Sequence, residues 1–542
     1  MNKIINYMKR IIVPLVLIFT VGVQSCKKDL VEKPYSTLSP VNVFTSESGL
    51  KQATLGIYQS WTATYFTADN PYGNIFDVIY RFTLTETGHQ YAAPGVYGTA
   101  FMDPYLSFAQ TKADGAGATV WQRSYLTVAR ANAVIFNANK AVSNSSVADV
   151  YIAEAKFNRA YAYFNLVRFF GGVPIINNEI TSLAQNDLIY GPRASIEETY
   201  NFLIEDLKFA ETKLPNTWSS SDKGRVSAGT AKAMLGKVYL TMAGKPLSKP
   251  EYFQKAVDKL KEVTNAAVTY NFGLVSDFKS IFSTGNEVNK EVVLAFRYVW
   301  ASTLPNANLN PFFVTLDGLD PSGQPFTQTQ FGLTYKFWKL YEPSDVRRDF
   351  TVVERYKNQG PSFPVGDSLI YDPLTYHYIN KNSGSAVFNT TIKYGLGYGK
   401  FSRDARPSGA LPWSYSDDLV EYRYADVLLC LAEALNETGS SSEALTYINM
   451  VRQRANASQY VLGSQDDLRQ KIRNERKLEL IGEGTTVHDI RRWGTLQQEM
   501  AAMSPNQLLS GAVPPYSAKL ELYPIPLTEI NANPTLTQNP GW

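Results

Sequence analysis

Histidine and cysteine are scarce in this 542-residue chain, which has three histidines and two cysteines. His89, His377 and His488 lack the spacing of a zincin motif, and two cysteines cannot supply a set of thiolate ligands. We therefore expect no zinc site and assign no metal ligand. No P-loop, dinucleotide fingerprint or Gly-x-Ser-x-Gly elbow lies between a strand and a helix, so the sequence predicts no cofactor and no catalytic residue of those classes.

Blocks of like charge and long apolar runs are also lacking. The formal net charge is +3, and no Lys/Arg block occurs outside the first residues, which argues against a nucleic-acid partner. After Val23 no apolar run reaches the roughly 20 residues of a membrane-spanning helix. Because 542 residues exceed the ~250–300 at which one core stops growing, we expect subdomains or a solenoid.

The N-terminus has the pattern of a signal peptide. Lys3, Lys9 and Arg10 form a basic start, and about thirteen apolar residues follow, too few for a membrane span. The pattern ends at Cys26, which predicts a lipoprotein signal over residues 1–25 with acylation of the Cys26 thiol and of the new amine. Two or more acyl chains anchor a protein stably where one does not. The alternative is plain secretion with a chance cysteine.

Residues 26–42 are polar, contain proline and should form a flexible tether. The other cysteine, Cys430, lies in an apolar helical pattern and has no disulfide partner if Cys26 is acylated. We expect Cys430 to be a buried, inert core thiol.

Helical periodicity dominates the body of the chain, beginning after the capping residue Ser46. Gly171-Gly172 followed by Pro174 is a typical helix stop. Further helices are predicted over residues 120–141, 150–170, 195–214, 227–243, 252–267, 424–438, 442–455 and 465–481. The periodicity disappears over residues 65–117 and 273–415, which read as long loop-rich insertions with short strand-like runs such as 291–296.

Two helix pairs carry the packing signature of a tetratricopeptide repeat, in which small residues let antiparallel helices approach closely. The later pair has seven matching positions, Leu431, Ala432, Leu435, Gly439, Ala444, Ile448 and Val451. The earlier pair matches at Leu235, Gly236, Tyr239 and Gly244. The predicted fold is therefore mainly α, with tetratricopeptide-like hairpins forming a superhelical scaffold.

Glu475, Glu479 and Glu483 recur every four residues and should share one helical face. Paired carboxylates could serve a glycoside hydrolase using Glu475 or Glu483. We favour a structural ion-pair network instead, because pairing with cations lowers a carboxylate pKa, the wrong direction for a general acid. The expected cations are Arg473, Arg476, Lys477, Arg491 and Arg492.

The same region resembles the C-terminal signature of SusD/RagB-like outer-membrane lipoproteins. Matching segments occur in order along nearly the whole chain: Arg159-Ala160-Tyr161, Phe170-Gly171-Gly172-Val173-Pro174, Tyr422-Arg423-Tyr424-Ala425-Asp426, Asn474-Glu475-Arg476-Lys477-Leu478-Glu479-Leu480, His488-Asp489-Ile490-Arg491-Arg492-Trp493, Leu522-Tyr523-Pro524-Ile525-Pro526 and Asn539-Pro540-Gly541-Trp542.

This resemblance implies a single domain over residues 43–542 and a non-enzymatic, nutrient-binding lipoprotein of the outer membrane that faces the cell exterior. It also implies a partner, a SusC-like TonB-dependent transporter, which receives oligosaccharides or, in some branches, peptides. The sequence does not decide between these two ligands.

The resemblance further implies that the ligand surface is built from residues 65–117 and 298–331. Aromatic rings in loops can stack on the apolar faces of sugars, and amide groups can bind hydroxyls. The candidate ligand-binding residues are Asn70, Tyr72, Asn74, Tyr91, Tyr97, Trp300 and Phe313.

Overall fold

The structure is a computed structural model. It describes residues 43–62, 111–113, 115–182, 185–283, 285–286, 288–297, 318–319, 325–326, 333, 335–353, 355–357, 368–372, 377–380, 397–398, 400, 418–502 and 515–542. Cys26 and all seven candidate ligand-binding residues lie outside these ranges.

Helices make up most of the described chain, which confirms the predicted fold class. They are α1 (Glu47–Thr62), α2 (Gly115–Ala141), α3 (Ser145–Phe170), α4 (Asn186–Ile189), α5 (Ile196–Lys213), α6 (Ala228–Ala243), α7 (Glu251–Asn265), α8 (Tyr335–Trp338), α9 (Arg348–Thr351), α10 (Tyr424–Glu437), α11 (Ser441–Arg454), α12 (Gln465–Leu480), α13 (Thr486–Trp493), α14 (Leu496–Ala502) and α15 (Leu527–Ala532).

Short antiparallel strands complete the described elements. They are β1 (Val292–Phe296), β2 (Gly318–Leu319), β3 (Pro325–Phe326), β4 (Val352–Val353), β5 (Arg355–Lys357), β6 (Ser368–Asp372), β7 (His377–Asn380), β8 (Gly397–Tyr398) and β9 (Leu419–Arg423). They pair as β1–β9, β2–β3, β4–β8 and β5–β6–β7. The β1–β9 pair brings together the two ends of the loop-rich segment near residues 273–415.

The long helices form a continuous stack in which each packs on the next, in the order α1, α2, α3, α5, α6, α7, α10, α11, and α12 packs on α10. The largest apolar cluster extends from α2 through α12. A smaller cluster joins α1, α2 and the first half of α3. This arrangement confirms the superhelical scaffold of helical hairpins.

The tetratricopeptide positions are confirmed as packing residues. Leu431, Ala444, Ile448 and Val451 are completely buried where α10 meets α11. In the earlier pair, a Cβ atom added at Gly236 would lie 2.5 Å from the Leu260 side chain of α7. A small residue is thus needed where α6 crosses α7.

The central helix α3 shows how local sequence sets helix ends. The Asn144 side chain caps it by accepting a hydrogen bond from the Ser146 backbone N–H. Gly171 ends it with a φ of 76°, and a Cβ at Gly172 would lie 1.9 Å from the Ala194 carbonyl oxygen. The predicted Gly-Gly stop is confirmed.

The C-terminal tail covers the end of α3. The backbone N–H of Tyr523 donates to the Phe169 carbonyl at 2.7 Å, and the Asn539 amide donates to the Phe170 carbonyl at 3.0 Å. These bonds satisfy carbonyl groups that a helix end leaves without partners. Among the helices of the described residues, none combines the length and the hydrophobicity that a membrane-spanning segment requires.

Candidate functional site

Three aromatic rings meet where α1 and β1 end, and we call Trp61, Tyr161 and Phe296 the aromatic platform. The rings of Trp61 and Phe296 are stacked, with centroids 5.7 Å apart and planes 25° apart. Tyr161 of α3 meets Trp61 edge-on at 4.8 Å. Such geometries are those that aromatic pairs prefer. The platform therefore fixes the end of a helix against the end of a strand.

Hydrogen bonds hold the platform in place. The Trp61 indole N–H donates to the Asn158 side chain at 3.3 Å, and the Tyr161 hydroxyl donates to the Glu421 carboxylate at 2.7 Å. Asn158 and Tyr161 belong to α3, most of whose residues are buried, and Glu421 belongs to β9. The rings are thus attached to rigid elements.

The loop-rich segments meet the scaffold at this platform. Trp61 immediately precedes Thr62, the last residue of α1, and Phe296 is the last residue of β1 and pairs with Leu419. Beyond the strand pair, Arg297 forms an ion pair with Asp418 at 3.2 Å. Thr62, Arg297 and Asp418, which adjoin the segments 63–110, 298–317 and 401–417, therefore lie around one small area of the scaffold.

Sequence reasoning did not identify this convergence. Trp61 lies in the helical pattern that begins after Ser46, and Phe296 ends the strand-like run at 291–296. The signal available was position alone, because Trp61 lies shortly before the loop-rich segment at 65–117 and Phe296 ends the strand-like run inside the segment at 273–415.

A small cavity of about 120 Å³ lies next to the Arg297–Asp418 pair. Trp218, Arg225 and Tyr270 contribute to its lining, and the Arg225 guanidinium lies 3.9 Å from the centroid of the Trp218 ring. Sites that enclose a whole ligand usually have ~300–1,000 Å³. This cavity can therefore admit only a part of a larger ligand.

Glu475 and Glu479 of α12, and Glu483 beyond its end, lie in a buried ion-pair network, as the sequence predicted. The helix stops at Leu480 and Gly482 has a φ of 78°, so the prediction that Glu483 shares one helical face with the other two was wrong. Arg347 donates to Glu475 at 2.6 Å and to Glu479 at 2.8 Å. Arg423 donates to Glu479 at 2.9 Å and to Glu483 at 2.6 Å. Arginine side chains bind these carboxylates from several sides. This environment is typical of carboxylates with a structural role.

The cations that neutralise these glutamates differ from the predicted ones, and this part of the prediction was wrong. They come from other elements: Arg347, Lys400, Arg423, Arg452 and Arg454. Lys477 is two positions from both Glu475 and Glu479, and helix residues at that spacing do not face each other. Arg476 is held instead by Asp426 and Asp489. The predicted cations instead contact Asp426, Glu433, Asp489, Glu499, Leu520 and Trp493.

The network also sets the protonation of its carboxylates. Burial raises the pKa of Glu479, but the charges of Arg454, Arg423 and Arg347 outweigh it and hold that pKa well below its usual range. The pKa of Glu483 is likewise lowered, because Arg423 and Lys400 outweigh its burial. A general acid needs the opposite shift, so this geometry gives no support to the hydrolase hypothesis.

Histidine and cysteine show no metal-site geometry in the part of the chain that the structure describes, where no group of three possible ligands occurs. His488 is buried with its ring 4.9 Å from that of Phe169. Cys430 is buried as predicted, and burial raises the pKa of its thiol to about 12.

Two family models match this chain. The model described as the SusD family matches residues 280–542. The model described as starch-binding and associating with the outer membrane matches residues 30–240. Together they span most of the sequence.

Individual relatives agree with these matches. SusD-like protein P2 of Formosa agariphila is 28% identical over 537 residues, which cover 95% of this chain and 96% of the relative. The SusD homolog of Bacteroides thetaiotaomicron has a similar structure, with a TM-score of 0.75 at 20% identity over 93% of this chain and 99% of that one. Surface glycan-binding protein A of Bacteroides thetaiotaomicron, solved in complex with laminarihexaose, gives a TM-score of 0.70 at 18% identity over 91% and 100%. The chain belongs to the SusD/RagB-like family.

Proposed function

We propose that this protein is a cell-surface lipoprotein that captures oligosaccharides and delivers them to a SusC-like TonB-dependent transporter. The observation that carries the proposal is the stacking of Trp61 on Phe296, because it joins the scaffold ends of the two segments expected to bind the ligand. Ligand loops that start from a common rigid point can act on one ligand together.

The chemistry of the two segments fits a sugar ligand. Trp300 follows Phe296 by four positions, and Asn70, Tyr72 and Asn74 follow shortly after Thr62. Flat rings stack on the apolar faces of sugars at low entropic cost, and amides bind hydroxyls. A relative of similar fold was solved with laminarihexaose, which supports the same ligand class here.

The test is a binding screen of the purified protein against oligosaccharides, including laminarihexaose, and against peptides. For the best ligand, Trp300→Ala and Tyr97→Ala should each weaken binding by ~2 kcal/mol, about thirtyfold, with little change in the thermal midpoint. Phe136→Ala is the matched control, because Phe136 is an aromatic residue of α2 with 45% exposure. It should leave affinity unchanged.

A variant that binds normally but melts much lower would assign its ring to packing and remove it from the site. Selective binding of peptides would replace oligosaccharides with the second candidate cargo, which the same scaffold can hold. Release of reducing ends that Glu475→Gln abolishes would favour a hydrolase instead.

The anchor is proposed to be Cys26, acylated after cleavage of residues 1–25 and joined to the fold by the tether at 26–42. Cys26→Ala should lose palmitate labelling and leave the outer membrane while the body keeps its thermal midpoint. Unchanged membrane retention of the variant would contradict this.

The transporter is proposed as an obligate partner on the exterior face of the outer membrane. A tag on this chain should retrieve a protein of barrel size after extraction in mild detergent. Recovery of this chain alone in several detergents would count against the partnership.

A further inference from the structure

A second cavity, of about 560 Å³, lies at the C-terminal end of α3. Its walls come from α3, the turn after α6, helix α13 and the C-terminal tail, so it is built from the rigid scaffold and is separate from the aromatic platform. The volume falls within the ~300–1,000 Å³ typical of sites that enclose a small molecule.

The lining of this cavity is strongly cationic. Its charged groups are the cations Arg168, Lys245, Arg491, Arg492 and Lys519 and one carboxylate, that of Glu521. Arg492 is neutralised by Glu433 and Asp489. Within the described residues, Lys245, Arg491 and Lys519 form no ion pair with a carboxylate. The cavity therefore holds positive charge that the described residues do not neutralise.

Arg491 is the most informative of these groups. Its side chain is only 7% exposed, and its guanidinium lies 4.6 Å from the centroid of the Tyr523 ring. Nη2 donates to the Leu520 carbonyl at 3.0 Å, whereas Nε and Nη1 are buried with no hydrogen-bond partner in the described part of the chain. Buried charged donors without an acceptor are costly. Because Arg491 also lines the cavity, an anion bound there is a source of acceptor atoms for its guanidinium.

The state of His488 is consistent with a positive field in this cavity. Burial first, and then the charges of Arg168 and Arg491, lower the pKa of His488 well below its usual range. The imidazole is therefore neutral at physiological pH, and it adds a polar wall without adding charge.

We propose that this cavity binds an oxyanion, namely the carboxylate, sulfate or phosphate group of a small molecule, with Arg491 as the buried anchor and Lys245 and Lys519 nearer the opening. A guanidinium matches the geometry of planar and tetrahedral oxyanions with paired donors. The exposure of Lys245 allows it to attract the anion as it enters. The proposal is independent of the ligand loops and of the cargo they hold.

The test is isothermal titration calorimetry of the full chain at low ionic strength. The probes are inorganic sulfate, inorganic phosphate, glucuronate and neutral glucose. We expect saturable binding of at least one anion and none of glucose. Arg491→Gln should weaken that binding roughly tenfold or more, and Lys245→Gln about two- to fivefold.

Lys140→Gln is the matched control, because it removes the same charge and Lys140 is also exposed. Lys140 lies beside the start of α3, and the 26 residues of that helix separate its two ends by about 39 Å. This control should bind the anions normally. If Arg491→Gln does not fold, the double variant Lys245→Gln/Lys519→Gln provides the same comparison.

The probes also distinguish two sources of the anion. Equal affinity for inorganic sulfate or phosphate and for glucuronate indicates a site for a free oxyanion, whereas tighter binding of glucuronate indicates an acidic sugar. The proposal is overturned if no anion binds saturably, if glucose binds as well as glucuronate, or if Lys140→Gln weakens binding as much as Lys245→Gln.

Discussion

The ion-pair network around α12 and the aromatic platform use their side chains in opposite ways. Arg347, Arg423 and Glu479 are fully buried and make several short ion pairs with one another and with their neighbours. The platform consists of three rings at the ends of a helix and a strand, next to the segments expected to hold the ligand. Buried charge in this protein therefore fixes the fold, whereas the aromatic platform, in which Tyr161 and Phe296 are also buried, fixes the scaffold next to the segments expected to bind the ligand.

Low pH should have the largest effect of the changes considered. It protonates all carboxylates of the ion-pair network together and so removes the contribution of the network to the free energy of unfolding. The pKa values of Glu433, Glu479 and Glu483 are lowered in the folded state, each by arginines that outweigh burial. Their contribution is therefore complete above the unfolded pKa of ~4.3 and is lost as pH falls through the folded pKa. Urea unfolding followed from neutral to acid pH should show a steep fall in the free energy of unfolding below about pH 4.3. Stability that does not change in acid would contradict the assigned role of the network.

Removal of one cation should have the next largest effect. Arg423→Met leaves Glu291, Glu479 and Glu483 with fewer partners in a buried site and should cost about 3–5 kcal/mol of unfolding free energy. Lys208→Met is the control, because Lys208 pairs with Glu205 on the surface and that pair contributes at most ~1 kcal/mol. Equal denaturation midpoints for the two variants would show that the buried network adds little.

Two tryptophan variants test the same comparison and should each lower the stability by less than the loss of Arg423. Trp61 belongs to the platform, and Trp493 donates to Glu433 at 2.8 Å in the charged region; both are half-buried. Each change to Ala should cost roughly 2 kcal/mol of stability, less than a fully buried tryptophan. Only Trp61→Ala should also reduce affinity for the oligosaccharide found in the screen. Reduced affinity in both variants would mean that binding depends on general stability.

The smallest expected effect concerns Cys430. Its Sγ lies 3.3 Å from both Asp426 and Arg476, and burial raises the pKa of the thiol to about 12. The thiol should therefore resist iodoacetamide in the folded protein and react after unfolding in urea. Mass spectrometry gives the modified fraction, and rapid alkylation of the native protein would show that this core opens locally.

Local features of the sequence predicted most of the scaffold. Helix α3 ends at Gly171 because the chain needs a positive φ there, and Gly236 is small because Leu260 packs against it. Both requirements are visible in the sequence as a glycine at the position concerned. The rest of the scaffold was predicted from the family resemblance, because the matching segments occur along the chain in the same order as the stacked helices.

Features formed by distant residues were harder to predict. The spacing of Glu475, Glu479 and Glu483 predicted the network, but Arg347 and Lys400 come from an irregular segment where no periodicity indicates a partner. The contact between Trp61 and Phe296 joins two elements far apart in sequence, so composition and spacing say nothing about it. The cationic cavity depends in the same way on α13 meeting the tail.

The tail that covers α3 has a consequence for the order of synthesis. The Phe169 carbonyl receives its hydrogen bond from Tyr523, which the ribosome makes more than 350 residues later, whereas the Phe170 carbonyl binds both Asn539 and the much earlier Arg193. Helix α3 can form early, but its C-terminal end lacks its bond from the tail until residue 523 has been made. During that interval the central helix is incomplete at one end, and the segment around Tyr523 and Asn539 completes it.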